Sequence, residues 1–496
     1  MDSNDHVWFP TDPWIDGNSL RGEATDAVCD PATGQPIAEV THATPEMVTG
    51  AIEGAGKALR PWQARSAFQR GELLKEVASR MRAQRDSLAR LLTREQGKPL
   101  AQAEAEVDYG ASFFQWFGEQ ARRIGGRIQP HPDAAREFQI QMRPIGVAGL
   151  ITPWNFPLAQ GAKKIAAALA AGCTAVWKPS EKTPLIALAL GELMHRCGLP
   201  PGVVQIVPAP GPRVGNILAE HPLVRVLSLT GSTATGRWLM AAAAPQVKRV
   251  ALELGGNAPF LVLEDANLEE VVEQLVQLKL FVSGQVCVTA NRILVDRRIE
   301  PRLCKLLQQK LMSRRVGHGL DRAVDAGPLI DPPACQKVQS LVDLAIADGA
   351  ELVCQNRTFE EDQRLQQDRF YPPTLLRHVE DAMPIAQQEI FGPVLPLMAF
   401  DRIEEAIERA NRTPMGLAAY VYGSRIERCQ AIARELEVGI VGINEWRPLK
   451  AEIPFGGVKQ SGIGSEGGEE GLHDYLVPQV ISTPKPSIGC NDEIRR

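Results

Sequence analysis

The chain has 496 residues, of which 44% are hydrophobic and 23% are charged. At roughly 100–200 residues per domain, this length predicts two to four domains and excludes a small disulfide-stapled scaffold, while the composition excludes a disordered chain. The 54 Lys and Arg residues stand against 59 Asp and Glu residues, a net charge of -5. With no long basic run, nothing indicates a nucleic-acid partner.

The cysteines and the N-terminus indicate a cytoplasmic, soluble protein without a membrane partner. The nine cysteines are odd in number and scattered, with no pair at C-x-x-C spacing, which is typical of a reducing compartment. Residues 1–10 lack the pattern of a secretory signal, and no apolar run reaches the roughly 18 residues of a membrane span. We expect no metal site.

In chain order, Thr44–Gln96 is predicted to be mostly helical, with a break near Pro61, and to pack beside a sheet. Strand-like and helical patterns then alternate, which predicts a parallel sheet covered on both faces. The predicted elements are Gly146–Ile151, Ala162–Ala171, Thr174–Trp177, Pro184–Cys197 and Val203–Val207.

A second alternating series begins after Glu253 and predicts a second α/β domain. Residues 355–369 are charged and weakly patterned, which indicates a surface loop. The predicted elements are Phe260–Leu263, Leu268–Leu280, Arg292–Val295, Arg302–Leu311 and Lys337–Asp348.

Two strand-like segments, Glu137–Arg143 and Asp474–Ile481, have no neighbour in this doubly wound pattern. Exposed strand edges usually need covering. We therefore expect these segments to pair with another subunit.

Two segments are candidates for cofactor binding. Leu227–Gly236 is predicted to be an apolar strand followed by a Gly/Ser/Thr turn, after which the helix Arg237–Ala243 begins. This turn is either an anion site suited to a pyrophosphate or an ordinary capped helix start. Lys178 and Glu181 follow a strand, where they either meet a ribose or form a solvated ion pair. Gly462–Gly467 spells G-x-G-x-x-G without the required strand and acid, so we interpret it as a turn.

Cys287 lies in a glycine-interrupted turn and is either a nucleophile or a small buried hydrophobe. A nucleophilic thiol needs a base, and Glu253 interrupts an apolar run just before two glycines. Glu253 is therefore a candidate base, or else a carboxylate satisfied by backbone N–H groups. Asn155, between Pro153 and Pro157, is either an oxyanion donor or a turn residue.

These residues together resemble the aldehyde dehydrogenase superfamily across nearly the whole chain. The Glu253-to-Cys287 spacing of 34 residues also agrees with that family. The matching motifs are PWNFP at 153–157, KPSE at 178–181, GSTATG at 231–236, ELGG at 253–256, GQVC at 284–287, EIFGP at 389–393 and PFGGVKQSGIG at 454–464.

The resemblance implies that Cys287 attacks the aldehyde, that Asn155 and the Cys287 backbone N–H hold the oxyanion, and that Glu253 activates water. Glu181 suits a free ribose and repels a 2′-phosphate, so we expect NAD, with NADP as the alternative. The implied cofactor-binding residues are Trp154, Lys178, Ser180, Glu181, Gly231, Ser232, Leu254, Glu389 and Phe391.

The implied fold is α/β, aldehyde-dehydrogenase-like, with two doubly wound parallel-sheet domains and a small β oligomerisation element, in a homodimer or homotetramer. The cofactor-binding domain takes residues 1–120 and 144–252, and the catalytic domain takes residues 253–460. Residues 121–143 and 461–487 form the oligomerisation element, and residues 488–496 form a tail.

Within the superfamily the chain looks most like succinate-semialdehyde dehydrogenases, which implies a semialdehyde substrate. That group carries arginines where this chain has Phe281 and Lys163, and the loop around Trp446 and Arg447 also departs. Either Lys163, Arg447 or Lys450 binds an anionic substrate group, or Phe281 and Trp446 line an apolar or aromatic pocket.

Two rival functions are also compatible with the sequence. A CoA-acylating enzyme releases the thioester to CoA, but such members generally lack the glutamate that Glu253 supplies. An inactive scaffold or binding protein on the same fold is the other alternative. Because Thr289 replaces the second cysteine of some relatives, no local disulfide switch is expected.

Overall fold

The structure, a computed structural model, describes residues 9–485. The expectations for residues 1–8, for Cys490 and for the tail at 488–496 lie outside the described residues. Within residues 9–485 no helix is long and apolar enough to cross a membrane, and the eight cysteines of this range are free thiols.

The first half of the chain contains two early strand pairs, a run of four helices, and then alternating strands and helices. In order, its elements are β1 (Trp14–Ile15), β2 (Asn18–Ser19), β3 (Glu23–Cys29), β4 (Pro36–His42), α1 (Pro45–Ala64), α2 (Ala67–Ala83), α3 (Arg85–Gln96), α4 (Leu100–Gln120), β5 (Arg127–Pro130), β6 (Arg136–Pro144), β7 (Val147–Ile151), α5 (Pro157–Ala171), β8 (Thr174–Lys178), α6 (Leu185–Arg196), β9 (Val204–Ile206), α7 (Gly211–Glu220), β10 (Val224–Thr230), α8 (Thr233–Ala243) and β11 (Arg249–Glu253).

The second half continues the alternation and ends on a long strand. In order, its elements are β12 (Ala258–Val262), α9 (Leu268–Leu280), β13 (Ala290–Asp296), α10 (Glu300–Met312), α11 (Pro332–Ala347), β14 (Glu351–Gln355), β15 (Thr374–Arg377), α12 (Pro384–Gln387), β16 (Val394–Phe400), α13 (Ile403–Asn411), β17 (Met415–Gly416), β18 (Ala418–Tyr422), α14 (Ile426–Glu435), β19 (Ile440–Ile443), β20 (Val458–Lys459), β21 (Gly462–Ile463) and β22 (Leu476–Pro484).

The first sheet has eight strands in the order β2-β1-β9-β8-β7-β10-β11-β21, and its five central strands are parallel. One apolar core packs it against α2 to α6, and a second packs its other face against α1, α7 and α8. Because both faces are covered, β8 is buried along its whole length, as the continuous apolar runs predict.

The second sheet has seven strands in the order β14-β15-β16-β13-β12-β18-β19, all parallel except β14. Helices α9 and α10 cover one face, and α11, α13 and α14 cover the other. The predicted pair of doubly wound α/β sheets is confirmed.

In place of the expected subunit partner, the two outlying strands pair with each other. β22 runs antiparallel to β6 from the pair Leu476–Pro144 to the pair Pro484–Arg136, and β5 covers the other edge of β6. The three-stranded sheet ends at β22, where Val480 is 60% exposed. Pairing of this outer edge with another subunit stays a prediction.

The predicted helix break near Pro61 is displaced, because α1 continues through the proline to Ala64. Trp62 is buried, and its indole N–H donates to the Leu169 carbonyl oxygen at 3.2 Å. This contact holds the last turn although the proline removes a backbone donor. A capping box on Ser66 then starts α2.

The loop over residues 355–369 joins β14 to β15 and is largely exposed, as predicted. It is nevertheless anchored, since Phe359 and Leu365 are buried and the Phe359 ring stacks on Phe370 with centroids 5.4 Å apart.

The candidate site residues come from the carboxyl ends of the first sheet and from one loop of the second domain. Asn155 follows β7, Gly231 follows β10, and Glu253 ends β11. Cys287 lies between α9 and β13, and its carbonyl oxygen packs so closely on Gly256 that a Cβ there would overlap it. The two sheets therefore meet at the predicted nucleophile.

Candidate active site

The loop that carries Cys287 has an unusual backbone. Val282 (φ 49°), Ser283 (φ 55°) and Gly284 (φ 77°) are all in the left-handed region, and a Cβ at Gly284 would overlap the Gly392 carbonyl oxygen. Glycine alone fits that position. The Cys287 side chain lies beyond this turn and borders two cavities at once.

The Cys287 thiol is not ionised by its surroundings. Desolvation, and then the carboxylates of Glu389 and Glu253, raise its pKa to about 12, while Lys163 acts in the opposite direction. The thiol is therefore protonated at neutral pH in this arrangement. It becomes a nucleophile when a base or an added positive charge comes near the sulfur.

Asn155 is buried beside Cys287, in the segment between β7 and α5. Its Nδ2 donates to the Gln285 carbonyl oxygen at 2.9 Å, and its Oδ1 accepts the Phe156 backbone N–H at 3.2 Å. A side-chain amide carries two protons, so one remains for an oxygen atom bound at Cys287. Asn155 also lines the larger of the two cavities.

A buried ion pair fixes the backbone beneath Asn155. Lys98 and Glu106 pair with both side chains fully buried, and Lys98 Nζ donates to the Asn155 carbonyl oxygen at 2.7 Å. Glu106 Oε1 accepts the backbone N–H groups of Leu158 and Ala159 at 3.0 and 3.1 Å. These are otherwise unpaired donors of the first turn of α5, so the pair joins the Asn155 backbone to the helix start.

Glu253 is 3% exposed, and in the described part of the chain neither carboxylate oxygen has a hydrogen-bond partner. Burial, and then the negative charge of Glu466, raise its pKa well above the ordinary value, against the opposing effect of Lys163 and Lys164. The alternative of a carboxylate satisfied by backbone donors is therefore not what the structure has. A carboxylate whose pKa is raised in this way is suited to take up a proton.

A buried charge cluster lies next to Glu253. Glu466 forms ion pairs with Lys163, at 2.6 Å, and with Lys164. Burial alone would lower the pKa of Lys163, but the charges of Glu466 and its neighbours outweigh it and raise the pKa. Lys163 is thus a neutralised cation at the wall of the smaller cavity.

The larger cavity has the features of a dinucleotide site, with a free volume of about 420 Å³. Its wall includes the turn after β10, where the Ser232 hydroxyl caps α8 by accepting the Thr235 N–H at 3.1 Å. The backbone donors and the dipole of this helix end favour a phosphate. Six predicted cofactor residues line the cavity: Trp154, Gly231, Ser232, Leu254, Glu389 and Phe391.

Glu389 brings a carboxylate from the second domain into this cavity. Its Oε1 accepts the Gly256 N–H at 3.2 Å, and desolvation raises its pKa to about 7. Phe391 adopts a positive φ of 57°, which sets its ring edge-on to Trp154 with centroids 5.6 Å apart. The cavity thus offers acceptors for hydroxyl groups beside an aromatic wall.

Lys178, Ser180 and Glu181 do not line this cavity. Lys178 Nζ donates to Glu181 Oε2 at 2.6 Å. The ion pair exists and lies at the end of β8, so the structure is compatible both with a ribose-binding role and with a simple ion pair. The role of these three residues in cofactor binding stays a prediction.

Sequence reasoning missed three charged residues of the cavity wall, namely Lys182, Asp331 and Lys337. Lys182 pairs with Asp331, and Lys337 Nζ donates to the Glu389 carbonyl oxygen at 2.7 Å. The first two could have been found from the sequence, since Lys182 adjoins the KPSE motif and Asp331 caps α11 just before two prolines. No sequence pattern marks Lys337 as a residue of this cavity.

The smaller cavity reaches Cys287 from the other side and is mainly apolar. Lys450, which was also a candidate for binding an anionic substrate group, is exposed and does not line this cavity. All four predicted pocket residues line it, namely Lys163, Phe281, Trp446 and Arg447. Sequence reasoning missed the aromatic residues Tyr109, Phe156 and Phe455.

Comparison with known proteins gives the same assignment. The model of the aldehyde dehydrogenase family matches residues 14–481. The chain belongs to the aldehyde dehydrogenase family. The resemblance carried by the seven motifs is thereby confirmed, and the protein is an enzyme of this oxidoreductase family.

Similar members of the family have names that state their activities. The chain is 43% identical over 463 residues to the succinate-semialdehyde dehydrogenase [NADP(+)] of Escherichia coli, covering 93% of this chain and 94% of that one. It is 42% identical, with the same coverage, to the 3-sulfolactaldehyde dehydrogenase of Pseudomonas putida.

A solved structure has the same fold over nearly the whole chain. The betaine aldehyde dehydrogenase of Staphylococcus aureus, in complex with NAD+, superimposes with a TM-score of 0.93 at 36% identity. The match covers 97% of this chain and 96% of that chain.

Proposed function

We propose that this enzyme oxidises an aldehyde to a carboxylic acid, with NAD or NADP, through a covalent bond to Cys287 Sγ. The observation that carries this proposal is the position of Cys287 between a phosphate-suited cavity and an apolar one. A sulfur at that junction faces a cofactor on one side and an aldehyde carbon on the other.

The chemistry assigns one task to each of three residues. Cys287 Sγ adds to the carbonyl carbon as its proton passes to water, and Asn155 Nδ2 and the Cys287 backbone N–H stabilise the resulting oxyanion. The bound cofactor supplies the acceptor for the hydride that this carbon loses, which leaves a thioester on sulfur. Glu253 then takes a proton from water, the water oxygen bonds to the acyl carbon, and the C–S bond breaks to release the acid.

The residues present fit a dinucleotide. The capped start of α8 provides donors for the pyrophosphate, and Glu389 provides a carboxylate for a ribose. Although burial opposes ionisation, Lys178 keeps the pKa of Glu181 below its ordinary value, so Glu181 is negative. A negative group near the adenosine ribose favours NAD over a 2′-phosphate, and a kinetic preference for NADP would overturn this part.

The substrate class follows from the relatives and from the apolar cavity. The names of both relatives designate aldehydes with an acidic group, which supports a semialdehyde such as succinic semialdehyde. The aromatic lining by Phe156, Phe281 and Trp446 supports the alternative, an apolar or aromatic aldehyde.

The test measures the absorbance of the reduced cofactor while the enzyme is supplied with succinic semialdehyde, benzaldehyde or simple aliphatic aldehydes. We expect reduction without added CoA, in step with formation of a carboxylic acid. Cofactor binding without reduction by any aldehyde would favour an inactive scaffold, and reduction only with CoA present would favour an acylating enzyme.

A further inference from the structure

The apolar cavity at Cys287 continues outward into a second space. The inner chamber has about 70 Å³ of free volume, and the outer vestibule, which opens towards solvent, has about 290 Å³. Phe281, Trp446 and Arg447 line both spaces. We call these three residues the constriction, since any substrate that reaches Cys287 by this route passes them.

Three cations border this route, and they differ in their partners. Lys163 is paired with Glu466, and Arg314 in the vestibule is paired with Asp325 at 3.0 Å and with a second carboxylate. No carboxylate of residues 9–485 lies within ion-pair distance of the Arg447 guanidinium. Arg447 is thus the cation on the route whose charge the described chain leaves without a counter-ion.

Arg447 is held by an aromatic wall instead of by an acid. Its guanidinium carbon lies 5.1 Å from the centre of the Phe281 ring. Phe281 contacts Trp446 edge-on, with centroids 5.8 Å apart, and also Phe156, with centroids 5.7 Å apart. Stacking on a ring face leaves the N–H groups at the edge of the guanidinium available to a ligand.

A half-buried guanidinium without a counter-ion costs free energy that a bound anion would recover. Arg447 and Cys287 both line the inner chamber, whose wall is otherwise mainly aromatic and aliphatic, with Lys163 paired to Glu466. An anion at Arg447 and an aldehyde carbon at Cys287 therefore require an apolar spacer between them.

We propose that Arg447 binds a carboxylate or sulfonate at the far end of the substrate, while an apolar, planar spacer fills the chamber that Phe156 and Phe281 line. The substrate class is then an aldehyde that carries an anionic group across an aromatic or similarly flat body. This inference rests on the proposed aldehyde oxidation and assigns its specificity to the constriction.

The test compares matched aldehydes that differ in charge and little in shape. The set is para-carboxybenzaldehyde, para-formylbenzenesulfonate and the neutral para-tolualdehyde, with kcat and KM measured by cofactor reduction. A charged hydrogen bond of this kind is worth about 10- to 100-fold in affinity, so we expect the intact enzyme to favour an anionic member by that factor in kcat/KM. The two anions decide between carboxylate and sulfonate.

Arg447→Met should lose this preference through a rise in KM for the anionic aldehyde that is much larger than any change in KM for para-tolualdehyde. Arg447→Lys should recover part of the preference, since lysine keeps the charge without the planar fork. Lys450→Met, on the same loop but exposed, is the matched control and should behave as the unaltered enzyme.

The outcomes separate the two proposals. An enzyme that oxidises neither this set nor succinic semialdehyde overturns the proposed function itself, whereas one that oxidises succinic semialdehyde but none of this set overturns only the inferred substrate class. An enzyme that oxidises charged and neutral members equally well overturns only the role of Arg447, and so does an Arg447→Met variant that keeps the full preference. Because the first comparison uses the unaltered chain, it holds even if the variants do not fold.

Discussion

Glu253 and Glu466 are both buried in the same region, yet their pKa values move in opposite directions. Lys163 and Lys164 lower the pKa of Glu466 against the effect of burial. Glu253 has no hydrogen-bond partner within residues 9–485, and its pKa is raised. Glu253 is therefore the one of the two carboxyl groups whose surroundings favour taking up a proton, whereas the two lysines favour the ionised form of Glu466.

Replacing Glu253 with glutamine should stop hydrolysis while leaving the hydride step. We expect one rapid equivalent of reduced cofactor per site, followed by a steady rate lowered by about 100- to 10,000-fold, the usual worth of a general base. Rapid-mixing absorbance measurements report both phases. Exposed Glu469 offers a matched control, because Glu469→Gln should turn over normally; unchanged turnover in Glu253→Gln would rule out this role.

The raised pKa of Glu253 also fixes the sign of the pH dependence. The carboxylate is the active form, and a raised pKa means that this form appears only at higher pH. Steady-state kcat should therefore rise with pH through a point above the ordinary range of glutamic acid, about 4–5. A kcat profile already level from that range upward would contradict it.

At the scale of elements, the bounds of some helices were predicted well and those of others were not. The amphipathic helix Leu268–Leu280 has the predicted bounds. Helix α5 instead begins at Pro157, five residues before the predicted start, and all its residues are buried. It has no polar stripe to mark its length, and its first turn is satisfied by Glu106 from a distant helix.

Local sequence pattern also determines which residues of the candidate site could be predicted. Cys287, Asn155 and Glu253 stand in short motifs whose local backbone carries the signal. Lys98 and Glu466 act by reaching across from other elements, and Glu466 stands inside the G-x-G-x-x-G segment that the pattern marks as a turn. Contacts between side chains of different elements depend on how the elements pack, and they produce no periodic pattern in the sequence.

The Lys98–Glu106 pair gives a prediction about α4 and α5 together. Glu106→Gln should lower kcat, because it frees the Asn155 backbone and the start of α5, and should destabilise the fold by about 3–5 kcal/mol, the cost of breaking a buried pair. Thermal unfolding and kcat measure the two effects. Glu104→Gln, on the same helix but paired near the surface, is the control.

The double variant Lys98→Met/Glu106→Gln removes both charges and separates the effects. Stability should largely return, since no unpaired charge stays buried, while kcat stays low. Full recovery of kcat would contradict a positioning role for the pair.

At the scale of the whole molecule, two sheets meet at Cys287, and a separate three-stranded sheet ends at β22. Val480 is 60% exposed and Ile481 is 38% exposed on this edge strand. Apolar residues on an open strand edge favour pairing with another chain. This arrangement supports a homo-oligomer built through β22, either a dimer or a tetramer.

Charged residues on β22 should prevent that pairing. Val480→Lys/Ile481→Lys should reduce the molar mass in light scattering to that of one chain, with unchanged far-ultraviolet circular dichroism. Ile128→Lys, on β5 at the opposite edge of the sheet, tests whether the effect belongs to β22. A monomeric unaltered protein, or an unaltered mass in the double variant, would contradict the prediction.

The central claim is a covalent bond between Cys287 and the substrate carbon, and peptide mass spectrometry tests it most directly. Glu253→Gln enzyme is mixed with oxidised cofactor and an aldehyde that it oxidises, then quenched in acid and digested. We expect the Cys287 peptide to gain the mass of the aldehyde less two hydrogens, and we expect Cys287→Ala enzyme to show neither this adduct nor oxidation. An unmodified Cys287 peptide after a full burst of cofactor reduction would contradict this claim.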